Sequence, residues 1–173
     1  MKQVFWLIDG QLAGRSGPNK DAWDLAELKH AGFGAIASLN DGAMCDTQQM
    51  ADLGIDHQIF NLPDNIPPLE SDVDICAEIM PRVLDFIRQA EAQNKAVLLH
   101  CRSGINRTEL MMAYYLMENG AAPVHAVSQV RNASGLAFDA EGWDQFVYDV
   151  LYRFSRNAPN FRSGMNSASS ETA

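Results

Sequence analysis

Three cysteines in 173 residues are too few, and too irregularly spaced, for a disulfide scaffold. Cys45, Cys76 and Cys101 are also odd in number, which suits a reducing compartment. Cations are scarce as well. The 13 Lys and Arg stand against 22 Asp and Glu and leave a formal charge of -9, whereas nucleic-acid binding draws on Lys and Arg contacts to the backbone. A nucleic-acid partner, a phosphorylated RNA end included, is therefore not expected. No apolar run approaches the length of a membrane span, and Val4 to Ile8 is too short and too poorly flanked by basic residues for a signal peptide. The expectation is a cytoplasmic chain with no membrane partner. Internal repeats and a second domain are lacking too.

What is present fits one globular domain. The hydrophobic content is 47%, and the length is sufficient to bury a real core. That domain is expected over residues 1–155. Beyond it the chain turns to Ser, Asn, Gly and Ala and cannot offset its ordering entropy, so residues 156–173 are expected to be a disordered tail.

Along the domain, strand and helix signals alternate. Val4 to Ile8 and Gln11 to Gly14 read as strands around an Asp9-Gly10 hairpin turn. A helix is expected from Lys20 to His30, capped by Asn19, and then a strand from Ala35 to Leu39 ending in the turn Asn40-Asp41-Gly42. Thr47 to Leu53 reads as a short helix and His57 to Leu62 as another strand. Ser71 is expected to cap a long helix with Asp72 and Asp74 in its first turn. Its apolar stripe would be Ile75, Ile79, Val83, Phe86 and Ile87, and Pro81 is expected to kink or break it. Ala96 to Leu99 is a buried strand, Arg107 to Asn119 a helix stopped by Gly120, Pro123 to about Asn132 another, and Trp143 to Phe154 the last. This order implies an α/β fold, with a largely parallel central sheet and helices on both faces.

The chemistry concentrates in Val97-Leu98-Leu99-His100-Cys101-Arg102-Ser103-Gly104-Ile105-Asn106-Arg107-Thr108. A strand end meets a helix start there, so unpaired first-turn N–H groups and the positive end of the helix dipole stabilise an anion or a thiolate. Cys101 is the candidate nucleophile. Gly104 lets the loop curl so that the amides of Arg102, Ser103, Ile105 and Asn106 can line a phosphate site, and Arg107 offers a planar fork for two phosphoryl oxygens. With this composition, those residue types fall at those offsets by chance on the order of once in ten thousand.

This stretch resembles the P-loop of the cysteine-dependent protein tyrosine phosphatase superfamily, His-Cys-x5-Arg-Ser/Thr. Trp6 to Ser16, the Trp23 helix, the strand ending in Ser38-Leu39, the Pro63-Asp64 loop and the helix Val124 to Arg131 resemble the small atypical dual-specificity phosphatases over roughly residues 1 to 155. After Val130-Arg131 many members carry a second Arg followed by Pro, where this chain has Ser134-Gly135. The resemblance implies that Cys101 attacks phosphorus, that Arg107 and the loop amides hold the equatorial oxygens, and that Thr108 donates to the departing thiolate. It further implies that Asp64 is first acid and then base, that His100 orients the loop from behind, and that neither metal nor cofactor is required. Asp41, at a strand end, competes with Asp64 for the acid's part. Cys76, on an apolar stripe, reads as a core residue, with a resolving thiol as the other possibility. The substrate implied is a phosphoprotein or a small phosphorylated molecule such as an inositol phosphate. A sulfur transferase would leave Asp64 and Arg107-Thr108 without a task, and a silent phosphate-binding module would have no need of the intact Cys101, Arg107 and Asp64.

Overall fold

Ala96-Val97-Leu98-Leu99-His100-Cys101 is buried from end to end, as a strand must be when it has neighbours on both sides and helices on both faces. The computed structural model describes Met1, residues 3–135 and residues 138–156, and in it this segment is the central strand of five. In chain order the strands are β1 (Phe5–Ile8), β2 (Leu12–Ser16), β3 (Phe33–Ser38), β4 (Asp56–Ile59) and β5 (Ala96–Cys101). They lie in the order β1-β2-β5-β3-β4, and every pairing except β1 with β2 is parallel.

Side-chain alternation along β5 divides the core. Val97, Leu99 and Cys101 face one cluster, under α3 (Glu70–Ala92), α4 (Asn106–Glu118), α5 (Pro123–Ser134) and α6 (Trp143–Arg156). Ala96 and Leu98 face the other, under α1 (Leu25–His30) and α2 (Thr47–Asp52). The architecture is the α/β arrangement expected, with helices on both faces. It brings the carboxyl ends of β2, β5 and β3 together, with Ser16 opposite Cys101 and Ser38 opposite His100. That edge of the sheet carries the turn that follows Cys101.

The expected starts of α1 and α3, the effect of Pro81 and the apolar stripe of α3 all differ from the structure. Helix α1 begins at Leu25, not Lys20, and Asp24 rather than Asn19 caps it by accepting from the Glu27 amide at 2.8 Å. The preceding residues are held otherwise: Lys20 and Asp21 amides donate to the Gly17 carbonyl, the Ser16 hydroxyl donates to Asp21, and the Trp23 indole donates to the Ser16 carbonyl. Helix α3 starts at Glu70, one residue before Ser71, and its N-terminus is tied by Asp72, whose carboxylate accepts from the Leu69 amide at 2.9 Å. Pro81 does not end it. A proline inside a helix costs about 3 kcal/mol, but Cys76, Met80, Val83, Leu84 and Ile87 are buried on the same helix, and such side chains contribute roughly 1.5–3 kcal/mol each. The buried stripe is rotated from the one expected, and Ile75 is exposed. Arg156 still belongs to α6, while the rest of the expected tail lies outside the described residues.

Candidate active site

Cys101 closes β5 and α4 opens at Asn106, with Arg102, Ser103, Gly104 and Ile105 forming the turn between them. The turn is pinned from both neighbouring strands. Arg102 gives its amide to the Asn40 side-chain oxygen at 2.8 Å, its carbonyl accepts from the Gly17 amide at 3.0 Å, and the Leu39 amide donates to the His100 carbonyl at 2.8 Å. Gly104 has φ +76°, and a Cβ there would stand 2.5 Å from the backbone of Arg15 and Ser16. Both the left-handed backbone and the close approach of β2 therefore require glycine. The Ile105 amide donates to the Ser103 hydroxyl at 3.4 Å.

The Cys101 thiol is fully buried at the foot of this loop and accepts from the Thr108 hydroxyl at 3.2 Å. Arg107, in the first turn of α4, is buried and reaches across to the Pro63-Asp64 segment. Its Nε donates to the Pro63 carbonyl at 3.2 Å, and Nη2 stands 3.7 Å from Asp64 Oδ2. Its guanidinium also lies over the Trp143 ring, 5.9 Å from the centroid. Asp64 itself is 60% exposed. Thus Cys101, Thr108, Arg107 and Asp64 are joined through direct contacts, though they come from a strand, a helix and a loop.

The Asp64 loop is fixed by Asn65, Asp72 and Trp143, none of which the sequence marks as a site residue. Asn65 donates its side-chain amide to both Asp72 oxygens at 3.1 and 2.9 Å, and its backbone carbonyl accepts from the Trp143 indole at 3.2 Å. Asp72 thereby links the loop to the first turn of α3, and Trp143 links it to α6. Asn40 was legible as a turn residue but not as the partner of the Arg102 amide. Trp143 carried a hydrophobic signal alone.

Asp41 is held elsewhere, with Arg102 Nε and Nη2 donating to its two oxygens at 3.0 and 3.3 Å. This is the bidentate geometry guanidinium favours, and it takes the Arg102 side chain to the rim. His100 lies on the sheet face opposite Cys101 and makes a short hydrogen bond through Nε2 with the Ser38 hydroxyl, while its ring meets Trp23 edge-on at 4.7 Å. Burial pushes its pKa down to about 4, so the ring is neutral at neutral pH. Cys76 is fully buried on α3 and burial pushes its thiol up to about 12, which suits a core residue rather than a resolving thiol. Glu109, next to Thr108 and fully buried, is pushed up to about 7 by desolvation, against the opposing hydrogen bonds of Ser134 and the Phe138 backbone. No helix among the described residues is long and apolar enough to cross a membrane.

Residues 18–139, which include the Asp64 loop and the whole of the Cys101 turn, match the family model for the dual specificity phosphatase catalytic domain. A tyrosine-protein phosphatase of Autographa californica nuclear polyhedrosis virus is 28% identical over 136 residues, covering 76% of each chain. A probable protein tyrosine phosphatase type IVA B of Dictyostelium discoideum is 31% identical over 106 residues, 59% of this chain and 58% of that one. Among solved structures, Tk-PTP in its active form superposes with a TM-score of 0.69 at 21% identity, over 88% of this chain and 98% of that chain. PTPMT1 in complex with PI(5)P superposes with a TM-score of 0.68 at 13% identity, over 90% of this chain and 99% of that chain. At such identities the superpositions speak to the fold. The family match, seated on the strand–loop–helix turn just described, shows that the chain belongs to the dual-specificity phosphatases and is a cysteine-based phosphatase.

Proposed function

We propose that this phosphatase hydrolyses phosphomonoesters on phosphotyrosine and on phosphoserine or phosphothreonine in proteins, through a cysteinyl-phosphate at Cys101. The observation that carries the reading is the contact chain from the buried Cys101 sulfur through Thr108 in α4, and from Arg107 in the same helix to Asp64. In the first step Sγ attacks phosphorus in line, the S–P bond forms, the ester P–O bond breaks, and the Asp64 carboxyl gives its proton to the leaving oxygen. The amides of Arg102, Ser103, Gly104, Ile105, Asn106 and Arg107, with the Nη edge of Arg107, hold the three equatorial oxygens where charge spreads. The Pro63 carbonyl already takes the Nε–H and sets the plane of the fork. In the second step water attacks phosphorus, Asp64 takes its proton, and the S–P bond breaks to return the thiolate, to which the Thr108 hydroxyl donates. His100 orients the loop from behind, through Ser38. The catalytic unit runs through α6, because Trp143 anchors the Asp64 loop.

The alternative substrate, a small phosphorylated metabolite, has a fold-level parallel in PTPMT1 solved with PI(5)P. Polyanions, however, usually require several cations in the loop. Here Arg102 is the single addition to Arg107, and it is already engaged by Asp41. A monoester dianion needs no more than the amides and Arg107. The test is phosphate release from a panel of phosphopeptides and inositol phosphates at fixed salt, with acid-quenched mass spectrometry for a phosphate on Cys101. Phosphopeptides are expected to be the better substrates, the adduct to map to Cys101, and Cys101→Ser to be inert. Measurable turnover by Cys101→Ser would remove the mechanism. A preference for inositol phosphates would remove the substrate assignment.

A further inference from the structure

Behind the catalytic turn, on the sheet face away from Cys101, three side chains converge that the phosphatase chemistry does not use together. His100 on β5, His57 on β4 and Cys45, just after the 3₁₀ turn Gly42–Met44, place one donor atom each within 4.8 Å of one another. Cys45 Sγ lies 3.6 Å from His100 Nε2. For a tetrahedral ion with bonds of about 2.0–2.1 Å to imidazole and about 2.3 Å to thiolate, the N···S edge is about 3.6 Å. The Cys45 and His100 donor atoms are thus at the spacing of a coordination shell, and the His57 donor lies within 4.8 Å of both.

The Ser38 hydroxyl now stands among them, hydrogen-bonded to Nε2 of both His57 and His100 and 3.8 Å from the Cys45 sulfur. One hydroxyl has a single proton to give, so it matches the two rings and leaves the thiol with weak contacts. The bland reading is a buried polar network that fixes His100. The sulfur is what that reading does not need and a metal does. Cys45 and His100 are buried, while His57 sits on the edge strand β4 and is half-buried, which provides a way in from solvent.

We propose that Cys45, His57 and His100 bind one Zn2+ ion, the Cys45 thiol losing its proton to water, Ser38 turning aside about χ1 and a water completing the shell. Zinc suits a donor set of imidazole and thiolate. Coordination takes neutral imidazole and thiolate, so the ion must displace the Cys45 proton to bind. An ion there would tie β4 and the Cys45 segment to the end of β5, one residue from the catalytic thiol. It would act as a structural clamp behind the loop, with no step of the hydrolysis passing through it.

The test uses the full chain and Co2+ as a spectroscopic stand-in for Zn2+. One equivalent of Co2+ is expected to give a sulfur-to-cobalt charge-transfer band together with visible bands of tetrahedral intensity, and one equivalent of Zn2+ to abolish them. The bands should persist in Cys101→Ser. In Cys45→Ala and His57→Gln the affinity should fall at least about a hundredfold. His57→Gln, at a half-buried edge position, guards against a failure of Cys45→Ala to fold, and circular dichroism checks both. Absence of the bands in the unmodified chain would overturn the proposal, as would their survival in either ligand variant. Their loss in Cys101→Ser would put the metal on the catalytic thiol and overturn it equally.

Discussion

Asp72→Ala should damage stability and one step of catalysis together, because a single carboxylate holds both the start of α3 and the loop that carries Asp64. It accepts from the Leu69 amide at 2.9 Å and from the Asn65 side chain at 2.9 and 3.1 Å. Loss of a helix N-terminal acceptor costs about 1 kcal/mol, and loss of a hydrogen bond to a charged group about 1.5–3 kcal/mol. Together these make about 3 kcal/mol. For a chain of 173 residues at roughly 2–4 °C per kcal/mol, Tm should fall by about 6–12 °C. Catalysis should suffer where the leaving group needs its proton. Activated aryl phosphates expel a stable phenolate, whereas tyrosine, with a pKa near 10, needs help. We expect about a tenfold loss of kcat on a phosphotyrosine peptide and a much smaller one on the activated ester. Asp64→Ala sets the ceiling for that loss, since general acid catalysis contributes about 10²- to 10⁴-fold. Because Asp72 acts through Asp64, the double variant should be no slower than Asp64→Ala, a departure from additivity that a purely structural cap would not show. Equal losses on both substrates, or additive losses in the double variant, would refute the argument and leave Asp72 as a helix cap.

Arg107→Lys keeps the charge but loses the fork set by Pro63, so kcat/KM should fall by orders of magnitude with Tm little changed; near-full activity would make Arg107 a loop tie only. Gly104→Ala should fail to support turnover and should lower Tm, because its Cβ would stand 2.5 Å from β2 backbone on a left-handed residue; an active variant with native stability would contradict that packing. Glu109→Gln should remove a pH dependence. The folded pKa of about 7 lies above the ordinary 4.5, so the folded state binds the extra proton, and stability is full below about 4.5 and falls as pH rises through 7. The variant should therefore gain on the unmodified protein by about 3 kcal/mol or less above pH 7, read as Tm against pH, and parallel curves would rule the effect out. His100 acts in an overlapping window with the opposite sign, its stabilisation fading as pH falls from 6.5 towards 4, so the difference between variant and parent is the informative quantity.

The strand, turn and helix of the candidate site were legible because its residues are contiguous. Anion binding at a strand–helix junction uses successive amides, so His100 to Thr108 must be neighbours in the chain, and β5 and α4 lie where the apolar pattern put them. Helix starts were less legible. Asn19 and Ser71 have the right chemistry for caps, but Asp24 caps α1 and Asp72, three residues into α3, reaches back to the Leu69 amide, while Ser16, Trp23 and Asn65 supply partners from outside the helices. Pro81 failed as a stop signal for a related reason: the propensity cost of one residue is smaller than the apolar surface buried on both sides of it.

What escaped the sequence altogether shares one property, which is that its members come from elements with no spacing rule between them. Asn40 meets Arg102, Trp143 meets Asn65, and Cys45, His57 and His100 meet around Ser38, because β5 sits between β2 and β3 with β4 beyond them. A proton donor has to approach phosphorus from the side opposite the attacking sulfur, so it cannot belong to the turn that carries the sulfur. Asp64, the donor proposed above, sits on a loop supported from α3 and α6, and that support becomes visible only when those helices are packed. The same register that sets Ser38 opposite His100 sends the imidazole to one face of the sheet and the next residue, Cys101, to the other. One strand thus carries two adjacent residues into separate environments, the candidate catalytic turn on one side and a soft-donor cluster on the other.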